Sequence, residues 1–90
     1  MRVRARVRVS GFVQGVSFRW YTTEHARRRE VGGWVRNTPD GRVEAVFEGA
    51  SEGVEAMIEW CRVGPRSAQV SDVEVIWEEP EGLFSFDVEF

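Results

Sequence analysis

The start of the chain alternates strictly between arginine and small apolar residues. The even positions hold Arg2, Arg4, Arg6 and Arg8, and the odd positions hold Val3, Ala5, Val7 and Val9. Because successive side chains of a strand point to opposite faces, this spacing predicts a β-strand with one buried face and one polar face. Whatever sheet the chain forms must therefore accommodate a row of four positive charges.

Charge is distributed unevenly along the sequence. All twelve basic residues are arginine; residues 1–42 hold ten of them against three acids, a formal charge of +7. Residues 43–90 hold two arginines against twelve acids, a formal charge of −10, which leaves −3 for the whole chain. Such a division is compatible with a basic patch that binds nucleic acid, and equally with two halves that neutralise each other.

Length and composition exclude several classes of protein. Ninety residues, 42% of them hydrophobic, predict a single globular domain over residues 1–90. The single Cys61 cannot form an internal disulfide, and one cysteine with one histidine argues against a zinc cluster. No apolar run approaches the ~18 residues that a membrane span requires, and the N-terminus lacks the apolar core of a signal peptide. We therefore expect a cytoplasmic monomer with no membrane partner.

The periodicity of apolar residues predicts two helices and five strands. The predicted helices are 17–29 and 51–63, and the predicted strands are 2–9, 34–37, 42–48, 69–78 and 84–90. Gly32 and Gly33 are expected to end the first helix, and Ser51 is expected to cap the second. The order βαββαβ with a short C-terminal strand predicts an α+β, ferredoxin-like sandwich, an antiparallel sheet with both helices on one face.

Residues 11–19 connect the first strand to the first helix and have the composition of an anion site. Gly11 and Gly15 allow tight turns in which successive N–H groups point inward, and the helix start adds unpaired N–H groups. Arg19 adds a planar, permanently charged guanidinium suited to phosphate. From this pattern alone, a phosphate site and a plain turn are equally supported, and the segment matches neither a P-loop nor a dinucleotide fingerprint.

Three segments together resemble the acylphosphatase family. The two family signatures are matched by G-x-V-Q-G-V-x-F-R at residues 11–19 and by G-W-V-R-N-x-x-D-G-x-V-E at residues 33–44. A third segment, G-P-x-x-A-x-V at residues 64–70, resembles the family's stretch after the second helix. The resemblance extends over nearly the whole chain, and it implies the ferredoxin-like fold that the periodicity predicts independently.

The resemblance also implies an activity and a set of site residues. The activity is hydrolysis of the carboxyl–phosphate bond of small acylphosphates, without metal or cofactor, with inorganic phosphate as product and competitive ligand. By the same resemblance Arg19 binds the phosphate and Asn37 holds the attacking water. The matching phosphate loop consists of the backbone amides of Gln14, Gly15, Val16, Ser17 and Phe18. No nucleic acid partner is expected.

One position departs from the family pattern. Arg29 and Glu30 stand where the family usually has Leu-Gly shortly before the Gly-Trp pair. Glycine suits the left-handed residue that follows a helix, and glutamate does not. We expect this difference to lengthen or reroute the end of the first helix.

Other functions remain possible from the residues alone. Ser17 and His25 could form a nucleophile and base, but Ser17 lacks the G-x-S-x-G context and His25 lies about 12 Å further along the helix. A helix-start serine, a partly buried histidine and a core Cys61 are the expected roles. A sheet that binds nucleic acid through its arginines is a second alternative, although the exposed face of the first strand offers no aromatic for base stacking. A non-catalytic module that handles carbamoyl phosphate is a third; a chain of this length favours a freestanding enzyme.

The family's strand order gives the arginine row a set of partners. With the first strand in the centre of the sheet, its arginines share the open face with acids of both neighbouring strands. These acids are Glu44, Glu48, Asp72, Glu74 and Glu78. We therefore predict a ladder of cross-strand ion pairs, each contributing roughly 0.2–1 kcal/mol, with Arg19 outside it.

Overall fold

A computed structural model describes residues 1–90 as five strands and two helices. In chain order these are β1 (Arg2–Phe12), α1 (Phe18–Arg28), β2 (Gly32–Asn37), β3 (Val43–Ala50), α2 (Ser51–Val63), β4 (Gln69–Glu78) and β5 (Phe86–Val88). The predicted order and the ferredoxin-like α+β fold are confirmed. Neither helix has the length and apolar character needed to cross a membrane.

The sheet has the strand order β4-β1-β3-β2-β5, with β1 paired antiparallel to both β3 and β4. The expectation of a purely antiparallel sheet is wrong in one respect, because β5 pairs parallel to β2 and the sheet is therefore mixed. The last strand is also shorter than predicted. Residues 79–85 carry the chain from the β4 edge to the opposite edge, so only Phe86–Val88 remain to pair.

The apolar face of β1 forms the centre of the core. Ala5, Val7 and Val9 are fully buried, together with alternate residues of β3 and the inner residues of both helices. Burial of one Val or Phe side chain contributes about 1.5–3 kcal/mol, so this face accounts for much of the stability. Cys61 belongs to the core, as predicted, and burial raises the pKa of its thiol to about 12, which leaves it unreactive.

The first helix ends before residue 29, the end predicted from the positions of Gly32 and Gly33. It stops at Arg28, and Glu30 takes the left-handed conformation with φ 56°. The N–H of Val31 donates to the carbonyl of Ala26 and the N–H of Glu30 donates to that of Arg27, the hydrogen bonds of a Schellman motif. The departure from the family's glycine therefore neither lengthens nor reroutes the helix; Glu30 adopts the glycine conformation at an energetic cost.

Gly32 and Gly33 begin β2 instead of ending α1. Gly33 has φ 132°, and a Cβ built on it would lie 1.8 Å from the carbonyl oxygen of Val46 on β3. A side chain there would push β2 away from β3, so glycine is required by close strand contact. Ser51 is likewise the first helical residue of α2, with Ala50 at the N-cap position, and no side chain caps this helix.

The open face of the sheet carries the predicted ladder of ion pairs. Arg4, Arg6 and Arg8 alternate with glutamates of both neighbouring strands. The pairs are Arg4–Glu48 at 2.6 Å, Arg4–Glu78 at 2.7 Å, Arg6–Glu78 at 2.8 Å, Arg6–Glu44 at 3.4 Å, Arg8–Glu44 at 3.1 Å and Arg8–Glu74 at 3.3 Å. Arg36 of β2 joins Glu44 at 2.6 Å. Three of the four arginines that nucleic acid binding would require are thus already paired with glutamates.

Two members of the predicted ladder do not form ion pairs with it. Asp72 lies opposite Ser10, beyond the last arginine of β1, and has no cation in reach. Arg2 lies at the other end of β1 and donates to the carbonyl of Leu83 at 2.5 Å, with its guanidinium 4.0 Å from the centre of the Phe84 ring. Arg2 therefore contacts the segment that crosses between β4 and β5.

Glu48 is the fully buried member of the ladder. Besides Arg4, its carboxylate accepts hydrogen bonds from the backbone N–H groups of Glu81, Gly82 and Leu83, each at 3.0 Å. Burial alone would raise the pKa of Glu48, but these donors outweigh it and lower the pKa. The charge of Glu48 thereby fixes the crossing segment to the centre of the sheet.

Replacing Glu30 by glycine should stabilise the protein. The substitution removes a left-handed strain of about 1–2 kcal/mol, and the added freedom of the unfolded chain offsets roughly 0.4–1 kcal/mol of that gain. Urea unfolding should show a higher midpoint for Glu30→Gly. The matched control is Glu24→Gly in the middle of α1, which should destabilise by about 1 kcal/mol. A lower midpoint for Glu30→Gly would contradict the assigned conformation.

The ladder should make stability depend on acid pH. Hydrogen bonds from Arg6 and Arg4 lower the pKa of Glu78 from 4.5 to about 2. A carboxyl with a lowered folded-state pKa stabilises fully above its unfolded value, so this contribution should disappear as pH falls from 4.5 to about 2. The unfolding free energy of Glu78→Gln should fall less steeply over this window than that of the wild type.

The control for this measurement is Glu79→Gln, since Glu79 is exposed and forms no ion pair. Its unfolding free energy should follow the wild-type pH profile. If the unfolding free energies of the wild type and of Glu78→Gln fell equally steeply with pH, Glu78 would not be paired with Arg4 and Arg6 in solution.

Candidate active site

A pocket with a volume of about 480 Å³ lies at one edge of the sheet. It is formed by the β1–α1 loop, the start of α1, the end of β2 and the C-terminal residues. Its lining residues are Val13, Gly15, Ser17, Phe18, Arg19, Trp20, Asn37, Val88 and Phe90. Five of the seven site residues predicted from the sequence therefore line one pocket, namely Gly15, Ser17, Phe18, Arg19 and Asn37.

The β1–α1 loop presents a row of unpaired backbone donors. Gly15 has φ 74° and Ser17 has φ 62°, both left-handed, while Val16 between them has negative φ. None of the backbone N–H groups of residues 14–18 donates a hydrogen bond within the chain. Alternation of left- and right-handed residues brings successive N–H groups to one side, which creates a concave surface for anions.

The N-terminus of α1 adds to this positive potential. The helix begins at Phe18, its N-cap residue Ser17 makes no side-chain cap, and its first turn holds no acidic residue. The free N–H groups and the partial positive charge of the helix end are therefore uncompensated by the protein. Ser17 has the helix-start position expected for it.

Arg19 lies in the first turn of α1, half-buried, and lines the pocket. Unlike the arginines of the ladder, it forms no ion pair with any carboxylate of the chain. Its guanidinium lies over the ring of Phe90, 5.2 Å from the ring centre. The prediction that Arg19 stands outside the ladder is confirmed, and its charge remains available to an anionic ligand.

Asn37 is the last residue of β2, and it lines the same pocket as the β1–α1 loop. Its side-chain amide forms no hydrogen bond to the rest of the chain, whereas its backbone pairs with Val43. The turn that follows is rigid: the N–H of Thr38 donates to the carbonyl of Arg42 at 2.8 Å. Hydrogen bonds from Thr38 and Arg42 also lower the pKa of Asp40 to about 2.

The side chains of Gln14 and Val16 do not line the pocket. Gln14 points to the β2–β3 turn, where its amide nitrogen donates to the carbonyls of Thr38 and Arg42, each at 2.8 Å. Val16 packs against the core, and its carbonyl accepts a hydrogen bond from the Ser67 hydroxyl at 3.0 Å. Both side chains hold the loop in place, while their backbone N–H groups stay unpaired.

Most of the apolar residues that line the pocket cannot be predicted from the sequence. Trp20 follows Arg19 and could be suspected, but Val88 and Phe90 reach the pocket only because β5 pairs with β2. No local pattern could have indicated them. Their presence gives the pocket one cation, several N–H donors and an apolar wall, without any side-chain carboxylate, imidazole or thiol.

The alternative pair of Ser17 and His25 does not form. The imidazole of His25 packs against the Trp60 ring, with ring centres 4.8 Å apart, and it does not line the pocket. Burial, followed by the nearby charges of Arg28 and Arg29, lowers the pKa of His25. His25 is a partly buried packing residue, as expected.

Comparisons with known proteins agree with this geometry. The acylphosphatase family model matches residues 5–88. A curated acylphosphatase of Thermococcus kodakarensis is 60% identical over 87 residues, which cover 97% of this chain and 96% of that protein. A curated acylphosphatase of Chloroflexus aurantiacus is 60% identical over 86 residues, which cover 92% of this chain and 94% of that protein. The crystal structure of acylphosphatase from Bacillus subtilis superposes with a TM-score of 0.94 at 34% identity, covering 98% of this chain and 99% of that one.

Proposed function

Because the chain belongs to the acylphosphatase family and is an enzyme of that class, we propose that the pocket around Arg19 and Asn37 hydrolyses the carboxyl–phosphate bond of small acylphosphates. The observation that carries this proposal is the unpaired Arg19 guanidinium beside a loop of unpaired N–H groups. Such a cluster of positive potential in a pocket is suited to a dianionic phosphate.

Phosphate binding falls to the β1–α1 loop. The N–H groups of residues 14–18 and the guanidinium of Arg19 donate to the nonbridging oxygens. In the transition state the negative charge is spread over these oxygens, so donors fixed in advance lower the barrier. Inorganic phosphate presents the same oxygens and should compete with substrate.

Asn37 orients the attacking water. Its side-chain amide has no partner in the chain and can accept from, or donate to, a water directed in line at phosphorus. An amide is too weak a base to remove a proton, so the role is positioning, which contributes strongly to phosphoryl transfer. The water oxygen bonds to phosphorus as the bond to the acyl oxygen breaks, and the phosphate takes the proton.

The leaving group requires little assistance. A carboxylate is stable at neutral pH, so no general acid is needed to protonate it. The acyl part of the substrate would contact the apolar wall of Trp20, Val88 and Phe90. Because no side-chain carboxylate, imidazole or thiol lines the pocket, its residues favour a metal-free reaction.

Removing either proposed catalytic residue should nearly abolish activity. Loss of one preorganised transition-state donor typically costs about 10²–10³ in rate, and we expect that fall in kcat for Arg19→Ala and for Asn37→Ala. Hydrolysis of benzoyl phosphate, followed in a chelator such as EDTA, measures the effect. The wild-type rate should be unchanged by the chelator.

Arg28→Ala is the matched control, because Arg28 lies on the same helix, is exposed and forms no ion pair. Its kcat should equal that of the wild type, and far-UV circular dichroism should show all three variants folded. Near-wild-type kcat in Arg19→Ala or Asn37→Ala would refute the assigned roles. Loss of activity in the chelator would refute the metal-free reaction.

A further inference from the structure

The two halves of the proposed site come from strands that are not neighbours. The phosphate loop follows β1 and Asn37 ends β2, while β3 lies between these strands in the sheet. No hydrogen-bond ladder therefore connects the two halves directly. The sheet holds β1 and β2 through β3, so the distance between the two loops beyond the strand ends depends on direct contacts between those loops.

Gln14 bridges this gap. Its amide nitrogen donates to the carbonyls of Thr38 and Arg42, each at 2.8 Å, and these residues lie at the two ends of the turn that follows Asn37. Both partners are carbonyl oxygens, so only the NH₂ end of the side chain can face them. The same turn is closed by the N–H of Thr38 donating to the carbonyl of Arg42. One side chain thus attaches the loop to both arms of the turn.

We propose that Gln14 is a positioning residue that holds the phosphate loop in register with Asn37, so that the water is aimed at the bound phosphorus. This inference rests on the proposed function. The side chain of Gln14 does not line the pocket and touches no substrate; it acts through the geometry of Asn37, while the backbone N–H of Gln14 remains part of the loop in every side-chain variant. Misplacement of a catalytic group by about 1 Å can cost up to ~10² in rate, so the tether should affect kcat more than phosphate binding.

The test compares Gln14→Met with the wild type. Methionine preserves length and apolar volume but removes both donors. We expect kcat for benzoyl phosphate to fall about 10- to 100-fold, while the inhibition constant of inorganic phosphate stays near the wild-type value, because Arg19 and the loop amides remain. Gln69→Met is the control, since the chain's other glutamine is exposed and makes no side-chain hydrogen bond; its kcat should not change.

Gln14→Glu provides a second readout. Its ionised carboxylate would face two carbonyls and repel them, whereas the protonated form offers one O–H donor in nearly the same shape. The ratio of its kcat to that of Gln14→Met should therefore rise as pH is lowered towards the carboxyl pKa. A purely structural role would not produce this recovery. A pH-independent ratio would overturn the tether.

A double-mutant cycle with Asn37→Ala separates this inference from the proposed function. If Gln14 acts through Asn37, Gln14→Met should have no further effect on the residual kcat of Asn37→Ala. An equal fall in both backgrounds, or unchanged kcat in Gln14→Met with the fold intact, would overturn the positioning role. Wild-type kcat in Asn37→Ala alone would instead refute the proposed role of Asn37.

Discussion

The buried carboxylate of Glu48 is the interaction on which the C-terminal part of the structure depends. It is fully buried, and it is compensated by the Arg4 guanidinium and by three successive backbone N–H groups. A buried charge is tolerated only with such complete hydrogen bonding. Since β4 and β5 lie at opposite edges of the sheet, the connecting segment must cross it, and Glu48 fixes the crossing. Val88 and Phe90 reach the pocket as a result.

Strand direction explains why two distant segments meet in one site. β1 and β2 are both antiparallel to β3, so they run parallel to each other and their carboxyl ends lie at the same edge of the sheet. The β1–α1 loop leaves the end of β1, and Asn37 stands at the end of β2. β3 lies between these two strands in the sheet. The side chain of Gln14 reaches from the β1–α1 loop to the β2–β3 turn.

The arginines fall into two groups that differ in their partners. Arg4, Arg6 and Arg8 of β1 pair with glutamates on both neighbouring strands and are neutralised. Arg19 lies in the first turn of α1, which holds no acidic residue, and it forms no ion pair. The same side chain therefore stabilises the sheet in one setting and is available to a phosphate in the other. The first group accounts for part of the uneven charge of the sequence.

The sequence by itself determined the two faces of β1, both helices and the β2–β3 turn, and the family signatures singled out Arg19 and Asn37 as the residues proposed for the site. These follow from periodicity and short motifs, which depend on residues close together in the chain. Only the tertiary structure decided the parallel pairing of β5, the apolar wall with Phe90, the isolation of Asp72 from the ladder and the contacts of Gln14. It also decided the left-handed conformation of Glu30, which a Schellman motif imposes against its local preference. Each of these depends on which segments lie side by side in the folded sheet, and that information is not local.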